Sequence, residues 1–197
     1  MATLAGCSQT SNGPKNATAS TATAATSAAK TTAKPTPKPT HVKPPPLHRA
    51  ALPTDCTLLL THGTVNRALG KAVTGKTIYI KGVAEARIGR TGRVTCRYGV
   101  KGKSIPIEAG ISGYRTASQA STRVRVTVAA ERDAGARVST ATIGGQPATI
   151  LLGKNGSLLV YRDSNRTVAV TLDRGVGGTK AATVLKTLAA AVSANLP

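Results

Sequence analysis

The chain has 197 residues, with 27 Lys and Arg against seven Asp and Glu, a formal charge of +20, no Trp, no Phe and three Cys. Residues 1–50 contain no Asp, no Glu and almost no large apolar side chain, which excludes a core there. The rest is long enough for one ordinary domain, and no run approaches the ~18 consecutive apolar residues of a membrane-spanning helix.

In chain order, Leu4, Ala5, Gly6 and Cys7 come first. They resemble the bacterial lipobox, in which an apolar residue and two small ones precede a cysteine that receives a diacylglyceryl thioether. Only Met1, Ala2 and Thr3 stand before them, without the basic and apolar regions of a signal peptide. We therefore expect the start codon to lie upstream and residues 1–7 to be a truncated signal-peptide remnant ending in the lipobox. A cytosolic chain with a chance match is the alternative. Residues 8–50, rich in Ala, Thr, Ser, Pro and Lys, bury too little apolar surface to offset their ordering entropy and predict a disordered spacer. Such a segment reaches from ~35 Å as a coil to ~130 Å when extended, helped by Pro35, Pro37, Pro39, Pro44, Pro45 and Pro46.

With Cys7 assigned to a lipid, Cys56 and Cys96 parse as a disulfide pair. Closing that loop contributes ~4 kcal/mol in the chain-entropy model, in an oxidising compartment. Two buried reduced thiols are the alternative. There is no CxxC, and His62 is the sole histidine beyond residue 50, so neither metal nor cofactor is expected.

Thr54 and Asp55 offer an N-cap for a helix over 56–69, where Leu58, Leu59, Val65, Ala68 and Leu69 share a face and Gly70 supplies the stop. Strands follow over 77–80, 93–100 and 104–108. In the second, Val94, Cys96, Tyr98 and Val100 alternate with Arg93, Thr95 and Arg97, which turns Cys96 inward. Residues 116–135 alternate like a strand around Val124, Val126 and Val128. Yet Thr116 and Gln119 form a capping box and Gly135 a stop, which favours helix. A meander over 148–152, 157–162 and 167–172 is separated by Lys154-Asn155-Gly156 and Asp163-Ser164-Asn165. Thr179 then caps a last helix with an apolar stripe of Leu185, Leu188, Ala189, Val192 and Leu196. The pattern predicts one α+β domain over 51–197, an antiparallel sheet packed by about three helices.

Three segments carry a resemblance: Pro53-Thr54-Asp55-Cys56 opening the first helix, Thr95-Cys96-Arg97-Tyr98, and Ile143-Gly144-Gly145-Gln146-Pro147-Ala148 before the meander. With the lipobox and spacer, they resemble actinobacterial cell-envelope lipoproteins whose domain has no assigned function. The Asp-Pro-Cys that commonly opens that group is Pro-Thr-Asp-Cys here. The resemblance implies a secreted, anchored, disulfide-bearing module on the outer face of the membrane, with a non-enzymatic binding or scaffolding role. It supplies no catalytic residues.

Residues 70–77 match G-x-x-x-x-G-K-[ST], the phosphate-cradling loop of nucleotide-binding proteins. That mechanism needs a strand before the loop and a helix after it; here the predicted order is inverted. For acid/base work, Glu131 and Asp133 are two positions apart on a helix and do not face each other. Six basic residues fall in the first fifty, leaving 21 of 27 beside all seven carboxylates, a net +14 there. Arg87, Arg90, Arg93, Arg97, Lys101 and Lys103 cluster as a possible anion-binding strip, with anionic envelope polymers or phospholipid headgroups as partners beside the bilayer itself. A nucleic-acid-binding protein is the rival reading, weakened by four Tyr as the only aromatic platforms and by the lack of a helix-turn-helix or zinc-finger spacing. No specific nucleic acid is expected, and a monomer is.

Overall fold

Seven runs that pair apolar or β-branched residues on one face with polar ones on the other become strands in the computed structural model, which describes residues 51–196. They are β1 (Lys76–Gly82), β2 (Arg90–Val100), β3 (Ile107–Tyr114), β4 (Arg137–Ile143), β5 (Gln146–Leu152), β6 (Gly156–Asp163) and β7 (Arg166–Asp173). One antiparallel sheet results, in the order β1-β2-β3-β7-β6-β5-β4. Among the described residues three α-helices accompany it: α1 (His62–Leu69), α2 (Ala117–Asp133) and α3 (Ala181–Asn195). The α+β architecture is therefore as expected. After the meander β1-β2-β3, the chain crosses through α2 to the far edge and returns along β4, β5 and β6, so that β7 pairs with β3 in mid-sheet.

The larger core lies on one face. Val94, Cys96 and Tyr98 of β2, Ile107, Ala109 and Ile111 of β3, and Val168, Val170 and Leu172 of β7 meet Val65 of α1 and Val184, Leu185, Leu188, Ala189 and Val192 of α3. Alternate residues along the strands face the other way, Leu151 of β5 and Val160 of β6 among them. There, Leu151 and Val160 pack with Ala136 against Val124 and Val128 of α2. The sheet is thus covered by α1 and α3 on one side and by α2 on the other.

Three local expectations are corrected and one strand is added. Residues 56–69 are not one helix: Asp55 caps only a 3-10 turn, Cys56–Leu58, and α1 starts afresh where the Thr61 hydroxyl accepts from the Thr64 N–H at 3.2 Å. The strand expected over 104–108 begins at Ile107, because Lys101 and Ser104 close a tight turn and Pro106 has no N–H for the ladder. β4 was not anticipated: its run RVSTATI is an edge strand whose Ser139, Thr140 and Thr142 are exposed. Thr179 lies within a 3-10 turn, Gly178–Lys180, and Lys180 occupies the N-cap of α3. The expected capping box of α2 is present in both directions, Gln119 N–H to Thr116 Oγ1 and Thr116 N–H to Gln119 Oε1, each 3.2 Å.

Candidate anion-binding site

Cys56 and Cys96 are joined by a disulfide with their Cα atoms 5.5 Å apart, Cys56 arriving from the first turn and Cys96 from the middle of β2. Both are buried. The surrounding segment is stitched to the rest of the domain at several further points. The Tyr98 hydroxyl donates to the Cys56 carbonyl at 2.9 Å, the Tyr79 hydroxyl to the Pro53 carbonyl at 3.1 Å, and the Asn195 amide to the Leu59 carbonyl at 3.0 Å. Arg166, on β7, reaches the Ala51 carbonyl at 3.4 Å. Cys7, the lipobox and the spacer lie outside the described residues.

On the face of β2 opposite Cys96 stand Arg93, Thr95 and Arg97, as the alternation predicts. Glu108 on the neighbouring β3 accepts from Arg97 Nε at 2.9 Å and lies 3.8 Å from Arg93 Nη2. Arg90 sits 2.9 Å from Glu85, whose other oxygen is 3.4 Å from Arg87. Four of the six strip residues are thus ion-paired with two carboxylates. Lys101 and Lys103 are exposed in the β2–β3 turn, at the other end of β2 from Arg90.

The pairing registers align this face into three rows. One runs Gly82, Arg93, Ser112, Thr167; the next Ile80, Thr95, Gly110, Ala169, Val160; the third Ile78, Arg97, Glu108, Thr171, Leu158, Leu151. The second and third rows turn apolar at Ala169, Val160, Leu158 and Leu151, and α2 seats Val124 and Val128 there. Toward β2 and β3 the rows turn polar, and between them and the first half of α2 a groove of about 200 Å³ remains. Arg90, Arg93 and Arg123 line it together with Glu108, Ser112, Thr127, Thr167 and Thr171. No carboxylate of the described residues pairs with Arg123.

The groove therefore takes Arg90 and Arg93 from the predicted strip, holds Arg97 beside it through Glu108, and leaves out Arg87, Lys101 and Lys103. Sequence reasoning missed Arg123 and the hydroxyls. The helix expected over 116–135 already puts Arg123 one turn before Thr127 on the same side, but only the packing of α2 on the sheet brings that side to Arg93 and Thr167.

The phosphate-loop match has a structural use instead. α1 precedes it and β1 follows, the inverted order read from the sequence. Gly75 takes φ +129°, and a Cβ there would stand 2.6 Å from the Gly99 carbonyl carbon, so the glycine permits close approach of the turn to β2. Thr77 shares a 2.7 Å hydrogen bond with His62 Nε2. Among the described residues there is no group of three potential metal-ligating side chains, and no helix is long and apolar enough to cross a membrane.

Residues 2–185 match a family model described as a protein of unknown function, DUF3558. No curated protein matches the chain. Among solved structures, the extracellular domain of PknH from Mycobacterium tuberculosis is similar with a TM-score of 0.39 and 14% identity, over 67% of this chain and 93% of that one.

Proposed function

We propose that this chain, which belongs to the DUF3558 family, is an extracytoplasmic, non-enzymatic binding module held to the outer face of the membrane through an acylated Cys7. The observation that carries the reading is the buried Cys56–Cys96 bridge, because such bonds form and persist in oxidising compartments and are rare in a reducing cytosol. Acylation of Cys7 rests on the lipobox-like residues 4–7, and two or more acyl chains make such an anchor stable at ~0.8 kcal/mol per buried CH₂.

What supports the non-catalytic part of the reading is how the ionisable groups are engaged. Glu85 and Glu108 neutralise arginines, Asp163 pairs with Arg166 at 2.6 Å, and Asp55 holds the first turn by accepting from Thr57 N–H and Oγ1 at 2.7 and 2.6 Å. Those hydrogen bonds keep the Asp55 carboxyl below its ordinary range. Each of these carboxylates is thus occupied in an ion pair or in capping a turn. The net positive face suits anionic envelope polymers or phospholipid headgroups.

Fractionation of the native cells tests the anchor. Wild-type protein is expected in the membrane pellet and open to external protease in spheroplasts, and Cys7→Ser is expected to move most of it to the soluble fraction. Cytosolic, protease-protected protein in both strains would overturn the reading.

A further inference from the structure

The groove between β2, β3, β7 and the first half of α2 carries a more specific assignment. We propose that it binds a phosphodiester bearing a polyol, the unit shared by a phosphoglycerol lipid headgroup and by a polyol-phosphate polymer. This deepens the envelope-binding reading and rests on it.

Charge is the first argument. Arg90, Arg93, Arg97 and Arg123 bring four guanidinium groups to the groove and its rim, against the two carboxylates Glu85 and Glu108. Two positive charges remain for a ligand. Arg123, on α2, and Arg93, on β2, both line the groove from different elements, and the planar forks of two such side chains match the oxygens of a phosphodiester. Arg93 donates from Nε to Thr95 Oγ1 at 3.1 Å, which orients its guanidinium, and its Nη2 is only loosely paired, 3.8 Å from Glu108, which holds Arg97 more closely.

Shape and polarity supply the second. Ser112, Thr127, Thr167 and Thr171 line the groove with hydroxyls that donate to phosphate oxygens and exchange hydrogen bonds with a polyol. Val124, Leu158, Val160 and Ala169 give it an apolar wall. At about 200 Å³ it falls below the ~300–1,000 Å³ of sites that enclose drug-sized ligands, so a single headgroup-sized unit fits and a larger one extends outward. Gly110 keeps the middle row flat, since any side chain there would rise between Arg93 and Thr95.

The test uses the full chain carrying Cys7→Ser, so that no acyl anchor holds it to the vesicles. Glycerophosphoglycerol is titrated while the arginine Nε–H signals are followed by NMR, and in parallel the protein is floated with phosphatidylglycerol or phosphatidylcholine vesicles. Saturable shifts of the groove arginines are expected. Arg123→Ala should weaken binding at least tenfold with unchanged melting temperature, because Arg123 is exposed and unpaired among the described residues. Glu108→Gln should tighten it several-fold. If only phosphatidylglycerol vesicles bind, and Arg123→Ala still abolishes it, the headgroup is the source; if the soluble diester binds alike, either source serves. Binding to neither probe, or vesicle binding that Arg123→Ala leaves intact, would overturn the site. Either failure leaves the anchor reading standing, since that depends on Cys7 and on the compartment.

Discussion

The Tyr98 phenol donates to the Cys56 carbonyl at 2.9 Å, two positions along β2 from the cysteine to which Cys56 is bonded. A covalent and a hydrogen-bonded link therefore fasten the entry of the domain to the same strand. They differ in weight. Replacing both Cys56 and Cys96 by Ala should cost ~4 kcal/mol in urea denaturation, from the entropy returned to a 40-residue loop of the unfolded chain. Tyr98→Phe should cost only ~1 kcal/mol, because the Cys56 carbonyl still accepts from Leu59 and Leu60 N–H at 3.0 Å. Equal losses for the two variants would contradict this ranking.

Alkaline pH should unfold the protein through its buried phenols. Burial pushes Tyr161 up to about 12 and Tyr98 well above the ordinary phenol value of 10.0. The folded state thus keeps them neutral while the unfolded chain ionises. Their contribution is complete below pH 10 and falls as pH rises from there toward 12, by ~1.4 kcal/mol per unit for each tyrosine. Denaturation midpoints across that range check the slope, and phenolate absorbance should appear together with unfolding. A midpoint constant up to pH 12 would contradict it.

The glycine and the lysine of the phosphate-loop match should behave oppositely. Gly75→Ala forces a Cβ against the Gly99 backbone at a positive φ and should destabilise by ~2 kcal/mol or more. Lys76→Ala, at an exposed position of β1, should stay within about 0.5 kcal/mol. ATP and GTP should not raise the melting temperature of wild type. A nucleotide-dependent shift abolished by Lys76→Ala would show that the loop binds phosphate after all.

Thr116→Ala removes both the hydroxyl that accepts from Gln119 N–H and the reason for α2 to start there, and should cost ~1 kcal/mol. Because α2 forms one wall of the groove, the same variant should weaken diester binding. Unchanged stability would mean that packing of Val124 and Val128 alone sets the helix.

How much was legible in the sequence varies with the kind of signal. Local chemistry read well: the capping box decided for helix over 117–133 despite the alternating Arg123-Val124-Arg125-Val126 run, and alternation placed Cys96 inside and Arg93 and Arg97 outside. Weakly patterned strands were harder. β3, written IEAGISGY, spends positions on Gly110 and Gly113, yet it is central because β2 and β7 pair with it on both sides. β4 is an edge strand: it buries only Ile143 and leaves Val138 exposed among Ser and Thr, so its alternation is weak. The groove depends on register, which sets Ser112 between Arg93 and Thr167 and sets Thr171 beside Glu108; pairs so distant along the chain leave no periodic trace.

The most direct test of the account is the intact mass of the native protein purified from its own cells, before and after reduction and alkylation. The account predicts an N-terminus at Cys7 carrying diacylglyceryl mass, and two alkylations, at Cys56 and Cys96, that appear only after reduction. An unprocessed Met1 with three thiols alkylated without reduction would contradict it.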